Sequence, residues 1–188
     1  DALTSLDGLS NVSSVEGLTI EDNDALANLD GLESLISVRT TYIVDNAALT
    51  NLNGLSNVSS VEGGLFIEDN DALTSLDGLT SLTSIKYLVS IRRNNALANL
   101  SLGNLNSVGE SLTISFNPAL THLSLGNLNS VGKSLTISSN SALTSIDGAA
   151  KLTGVGGWLS ITWNPALTNL DGLANLTNVG APEFEYDG

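Results

Sequence analysis

The chain has 188 residues without cysteine or methionine, and its 20 acidic residues outnumber its 6 basic residues. A net charge of -14 repels phosphate backbones, so we expect no nucleic-acid partner. The missing cysteines exclude a disulfide scaffold, a thiol nucleophile and a cysteine-based zinc site. No run of apolar residues reaches the length of about 18 that a membrane helix needs, so we predict no membrane span.

One repeat accounts for the whole chain. The dipeptide Ala-Leu recurs every 23 or 24 residues, and the copies begin at Ala2, Ala25, Ala48, Ala72, Ala96, Ala119, Ala142 and Ala166. Eight such units and Asp1 cover all 188 residues, which leaves no linker. We therefore predict a single domain over residues 1–188.

The apolar residues within a unit do not follow a helical period. In the first unit they are spaced by threes and then by two, at Leu3, Leu6, Leu9, Val12, Val15, Leu18 and Ile20. An amphipathic helix needs a period of 3.6, and the intervening Ser, Thr, Asn and Gly are poor helix formers. The spacing predicts short strands joined by corners, most clearly the Leu-x-Ile steps at 18–20, 65–67, 112–114, 135–137 and 159–161.

A single coil cannot bury its own apolar face, so the coils must stack as parallel sheets. Eight coils at the usual strand spacing give a rod roughly 38 Å long. An asparagine follows each Leu-x-Ile step and predicts a hydrogen-bonded ladder of amides: Asn23, Asn46, Asn70, Asn94, Asn117, Asn140 and Asn164, with Gly188 breaking the column. A second corner is expected at the Asp-Gly and Asn-Gly pairs, where glycine permits a positive φ: 7–8, 30–31, 53–54, 77–78, 147–148 and 171–172.

The repeat pattern is Ala-Leu-Thr-Ser-Leu-Asp-Gly-Leu-x-x-Leu-x-x-Val-Gly-x-x-Leu-x-Ile-x-x-Asn. It resembles the leucine-rich repeat of receptor L domains and is similar to repeats of fungal cell-wall glycoproteins and microbial surface proteins. The resemblance implies a right-handed parallel β-helix exposed outside the cell or at its surface. Copies five and six depart from it at 101–104 and 124–127, where Ser-Leu-Gly-Asn replaces the Asp-Gly corner and is expected to shorten one edge of the coil.

No catalytic arrangement stands out in the sequence. The one histidine, His122, falls in a column of outward Ser and Asn residues, which favours a surface polar role. No phosphate-binding glycine loop, paired-histidine metal motif or interpretable Ser-His-Asp set appears. We predict that the protein is not an enzyme and needs no cofactor.

The densest charge feature is an acidic ridge that successive coils bring together. Its members are Glu21, Asp22, Asp24, Asp45, Glu68, Asp69 and Asp71. Calcium would relieve the repulsion between these carboxylates, although the sequence fits neither an EF-hand nor the calcium-binding nonapeptide repeat. Arg92 and Arg93 fall in the next coil and offer an alternative neutralisation, with the ridge otherwise solvated.

A column of threonines suggests ice binding as an alternative. Six of its eight positions are threonine, at Thr4, Thr50, Thr74, Thr121, Thr144 and Thr168. A Thr ladder at strand spacing resembles the ice-binding faces of β-solenoid antifreeze proteins, whereas plain strand propensity explains it equally. A second rank, at Thr19, Thr113, Thr136 and Ser160, is interrupted by Tyr42, Phe66 and Ser90.

Glycosylation is permitted at four sequons, at Asn11, Asn57, Asn99 and Asn175, a number no greater than chance predicts. Aromatic residues are few, at Tyr42, Phe66, Phe116, Trp158 and Trp163. Phe116 and Trp163 precede Asn-Pro in the same turn column two coils apart, with Ser139 between them, which offers a small site for a ligand or a glycan.

The ends of the repeat array suggest a role. Solenoids normally close with atypical capping repeats, and the first unit shows none, while only residues 180–188 look unusual. Either the chain adjoins further repeats of a longer protein, or protomers stack head to tail. The leading hypothesis is a non-enzymatic extracellular stalk or fibre-forming solenoid; ice binding and glycan or ligand recognition of the receptor L-domain type are the alternatives.

Overall fold

The structure, a computed structural model, describes residues 2–180 and is a parallel β-solenoid of about 7 turns. The predicted all-β solenoid is therefore confirmed. The described residues contain strands and short 3₁₀ turns and no α-helix. The expected break of the asparagine column at Gly188 and the unusual segment 181–188 lie outside the described residues, as does Asp1.

The strands occupy two stretches of each coil up to residue 165. In the first two coils one strand spans both stretches, as β1 (Ser14–Glu21) and β2 (Ser37–Val44). In the later coils a two-residue strand precedes the Leu-x-Ile strand, and a third position forms strands in copies five and six. The bounds are β3 Ser60–Val61, β4 Leu65–Glu68, β5 Ser84–Ile85, β6 Val89–Arg92, β7 Asn99–Ser101, β8 Ser107–Val108, β9 Leu112–Ser115, β10 His122–Ser124, β11 Ser130–Val131, β12 Leu135–Ser138, β13 Gly154–Val155, β14 Leu159–Thr162 and β15 Asn178–Val179.

Each strand pairs in parallel with the same strand of the neighbouring coil. In β9 and β12, for example, Leu112 faces Leu135 and Ile114 faces Ile137. A one-residue slip would turn these side chains outward, so the buried alternation enforces the register. Leu, Ile and Val columns from all coils form one continuous core cluster, and its interior members are fully buried.

The Asp-Gly corners differ from the sequence-based expectation. Four of them are 3₁₀ turns, at Asp7–Leu9, Asn53–Leu55, Asp77–Leu79 and Asp171–Leu173. Gly31 is the one glycine with a positive φ among the described residues, at 99°, so the prediction of left-handed glycine at the other corners is wrong. A Cβ on Gly54 would instead collide with the carbonyl oxygen of Leu29, and one on Gly78 with that of Leu52. Glycine is required there because the preceding coil lies too close for a side chain.

The left-handed residues lie at a different corner, directly before the asparagine column. Each has φ between 53° and 58°, and we name this column the turn ridge: Asp22, Asp45, Asp69, Arg93, Phe116, Ser139 and Trp163. None of these residues is glycine, which is why the sequence did not reveal the conformation. A non-glycine residue in this region is strained by roughly 1–2 kcal/mol, so the asparagine that follows must hold the turn in place.

Copies five and six gain a strand pair where the sequence predicted only a shortened edge. Their β7 and β10 pair in parallel, with Leu100 facing Leu123 and Ser101 facing Ser124. Without the Asp-Gly corner these segments stay extended. Isolated bridges continue the pairing to Ser75 in the preceding coil and Gly148 in the following coil.

The buried hydroxyl of Thr41 gives a stability test. Thr41 occupies the inward column between Leu18 and Leu65, is 1% exposed, and its Oγ1 has no hydrogen-bond partner. We expect Thr41→Val to raise the free energy of unfolding by about 1 kcal/mol, because it removes an unsatisfied buried hydroxyl with little change of shape. Urea denaturation measures the change. Thr19→Val, at an exposed position of β1, is the control; an equal gain in both variants would contradict the assignment.

Candidate functional site

The turn ridge is positioned by the asparagine ladder beside it. The side chain of Asn46 shows the pattern. Its Nδ2 donates to the carbonyl oxygen of Ile20 in the preceding coil at 2.9 Å and to Oδ1 of Asn70 in the next coil at 3.2 Å. Its Oδ1 accepts the backbone N–H of Asn23 at 3.2 Å. One amide therefore joins three coils.

The same bonds repeat along the described column. Each backbone N–H from Asn23 to Asn140 donates to the Oδ1 of the next asparagine at 3.0–3.2 Å. The five interior asparagines are fully buried, and Asn23 and Asn164 at the ends are half-buried. Since these bonds satisfy turn groups that water cannot reach, the ladder fixes the path of the ridge.

The chemistry of the turn ridge changes along the rod. Three carboxylates, at Asp22, Asp45 and Asp69, occupy its first half, and Arg93 follows them. The second half carries Phe116, Ser139 and Trp163. The residues two positions further on follow the same division: Asp24, Ala47, Asp71, Asn95, Pro118, Ser141 and Pro165.

The seven acidic residues expected to form a ridge fall in three columns of neighbouring coils. Two of these columns are interrupted, by Val44 between Glu21 and Glu68 and by Ala47 between Asp24 and Asp71.

Other side chains already engage part of this acidic set. Arg93 Nη1 lies 3.3 Å from Asp69 Oδ2, the Asn95 amide donates to Asp71 at 2.6 Å, and Ser90 Oγ donates to Glu68. Within residues 2–180 no group of three or more His, Cys, Asp or Glu side chains is placed to hold a metal ion. The acidic set is therefore partly neutralised by Arg93 and partly hydrogen-bonded by Asn95 and Ser90.

Among these carboxylates, Asp45 has a pKa that its surroundings shift. Desolvation, followed by the charges of Asp69, Asp22, Asp24 and Asp71, raises the pKa of Asp45 above its ordinary value. The folded chain thus holds a proton at Asp45 more tightly than the unfolded chain does, and ionised Asp45 lowers stability.

The second half of the ridge combines exposed aromatic rings with small polar residues. Relative exposure is 48% for Phe116 and 82% for Trp163. A shallow depression of about 610 Å³ is lined by Ser139, Ser141, Trp163, Asn164 and Pro165. A second one, of about 400 Å³, is lined by Asp45, Asp69, Asp71, Arg93, Asn95, Phe116, Pro118 and Ser139. The two depressions meet at Ser139, a relation that the sequence did not reveal.

The threonine column lies outside the strands. Along each coil, the turn that contains the ladder asparagine separates this column from the column of Thr19. Thr4, Thr50, Thr74, Thr144 and Thr168 are exposed, and Thr121 is half-buried. Hydroxyls of this column donate back to carbonyl oxygens of the preceding coil, as Thr50 does to Ala27 at 3.0 Å and Thr121 to Ala98 at 3.2 Å. These hydroxyls serve coil stacking as well as facing solvent.

The sequons and the histidine lie on the outer surface. Asn11, Asn57, Asn99 and Asn175 are all exposed. The amides of Asn57 and Asn175 donate to carbonyl oxygens of the preceding coil, those of Glu33 and Ala150. His122 is exposed in β10, and its Nδ1 lies 2.8 Å from Thr121 Oγ1.

A ladder of alternating charge on the flank is a feature that sequence reasoning missed. Glu16, Arg39, Glu62 and Lys86 occupy one exposed column of successive coils, and Arg39 Nη1 lies 3.5 Å from Glu16 Oε2. A comparison of residues one repeat apart would have revealed the alternation. These pairs are exposed, so each adds little stability.

Comparison with protein-family models, with curated proteins and with solved structures gives no match for this chain. Among the described residues no helix is long and apolar enough to cross a membrane.

The ladder predicts that replacing an asparagine lowers the free energy of unfolding more in the interior of the column than at its end. Asn94→Ala would remove the acceptor of the Asn70 N–H in the turn and the side-chain donor to the Ile67 carbonyl in β4, and both bonds are buried. We expect a loss of about 2–6 kcal/mol in the free energy of unfolding, at roughly 1–3 kcal/mol for each of the two unsatisfied groups. Asn23→Ala at the half-buried end should cost under about 1 kcal/mol. Urea denaturation followed by circular dichroism distinguishes them, and equal costs would contradict the ladder.

The charge of Asp45 predicts an unusual pH dependence. Asn has the same shape as Asp and also tolerates a positive φ, so Asp45→Asn removes mainly the charge. Because the folded pKa of Asp45 is raised, we expect this variant to melt at a higher temperature than the parent at pH 7. The difference should shrink as the pH falls through that pKa, and also in high salt. Asp147→Asn, at an Asp-Gly corner, is the control; a difference independent of pH would contradict the interpretation.

Proposed function

We propose that the chain is a non-enzymatic structural repeat, a rigid extracellular or cell-surface stalk or a segment of a fibre. The observation that carries the proposal is the continuity of the bonded columns from coil to coil. Core leucines, buried amides and paired strands each repeat in register, so bending the rod would break many contacts together. The resemblance to surface-protein repeats supports the same location and role.

The partner in this proposal is another coil of the same kind. Within the described residues β1 pairs with β2 alone, and Leu3 and Leu9 of the first coil are 43% and 40% exposed. The last coil of another copy, or an adjoining repeat of the same chain, would cover these leucines and extend the sheet. Such a head-to-tail contact is heterologous and can continue indefinitely.

Ice binding remains the alternative that the threonine column supports. Part of that column's hydrogen-bonding capacity is used by the preceding coil, and its positions lie outside the regular strands. The geometry therefore favours a structural role for these hydroxyls over a flat array facing water.

End-to-end assembly predicts a variant effect that depends on position. Leu9→Glu would place a charge at the end contact, so we expect it to reduce association of the chain, measured by sedimentation velocity in high salt to screen the net charge. Ile36→Glu is the matched control because Ile36 is 57% exposed on the flank of the rod. Its association should equal that of the parent. Compact monomers at every concentration of the parent chain would contradict end-to-end assembly.

A further inference from the structure

The two exposed aromatic residues of the turn ridge have no explanation in the stability of the fold. Phe116 and Trp163 both have a φ of 58°, a conformation that bulky residues rarely adopt. The same turn forms with Ser139 in the coil between them. Strain and exposure at a position that accepts serine indicate that the rings serve a purpose outside the fold.

The spacing of the two rings is set by the coils. Two coil steps separate Phe116 from Trp163, which is about 9.6 Å at the usual strand spacing. Where aromatic residues occupy adjacent coils, as Tyr42 and Phe66 do, their rings stack on each other 4.4 Å apart. Skipping a coil prevents that self-stacking and leaves both rings available to a ligand.

Polar side chains line the same two depressions as this aromatic pair. The depression beside Phe116 is also lined by Asp69, Asp71 and Asn95, and the one beside Trp163 by Ser141. Carboxylates and amides form directed hydrogen bonds with hydroxyl groups, whereas aromatic faces bind apolar surfaces. A ligand that fits both must present apolar faces and hydroxyl edges in a repeating order.

We propose that the turn ridge from Asp69 to Trp163 binds a neutral β-1,4-linked glycan chain. Pyranose rings have apolar C–H faces and hydroxyl edges, and in such a chain every second ring presents the same face. Rings two units apart stack on Phe116 and Trp163, with Ser139 beneath the ring between them. The carboxylates of the first half and the net charge of -14 exclude an anionic polysaccharide. The proposal goes beyond the structural role and does not depend on end-to-end assembly.

The test uses the full chain in a Trp158→Phe background, which leaves Trp163 as the sole tryptophan. Cello-oligosaccharides of two to six units are titrated by tryptophan fluorescence and calorimetry. We expect affinity to rise sharply from the disaccharide to the trisaccharide, because three units are the fewest that span both rings. Phe116→Ser and Trp163→Ser should each weaken hexasaccharide binding about tenfold, and the double variant should abolish it.

The chain supplies its own controls. Serine at positions 116 and 163 copies the native turn at Ser139, so these variants should melt no lower than the parent. Tyr42→Ser removes an aromatic residue that is already stacked, and binding should remain unchanged. Absence of hexasaccharide binding, retention of binding in the double variant, or binding of polygalacturonate or an aromatic peptide in place of the neutral glycan would each overturn the proposal.

Discussion

The distance between successive coils, about 4.8 Å, is the constraint on which the rest of the structure depends. It leaves no room for a Cβ at Gly54 or Gly78, and it lets one buried amide reach the coils above and below it. Identical residues at one position therefore become contacting neighbours. Each copy of the repeat supplies the packing partner of the next.

Because equivalent residues of successive coils are in contact, the properties of a residue type are repeated along its column. Repeated leucine gives a core, repeated asparagine gives a ladder, and repeated aspartate adds charge repulsion to the desolvation that raises the pKa of Asp45. Aromatic residues in adjacent coils stack on each other, as Tyr42 and Phe66 show. A locally distinct surface therefore arises where a column changes, and the turn ridge changes more than the buried strand columns do.

The sequence predicted the buried columns and the asparagine positions well, because the period of 23 or 24 residues aligns them without any structural information. It failed on local conformation. Glycine at position 54 indicates equally a positive φ or a close contact, and only the position of the preceding coil shows that the contact is the reason. The extra strands β7 and β10 were missed for a similar reason, since their extended form depends on pairing with each other.

The candidate site follows the same division. The sequence alone aligns Phe116, Ser139 and Trp163 in one column of three successive coils. It also aligns the acidic residues in the preceding copies. Their left-handed backbone, their exposure and the two depressions that meet at Ser139 required the tertiary structure.

The sequence by itself determined the period, the inward residues and the membership of each column, because those properties depend only on which residues recur. The tertiary structure decided which columns form hydrogen bonds, which leave no room for a Cβ and which are exposed to solvent. The reason is that the coil spacing and the handedness of each turn set the distances between neighbouring residues.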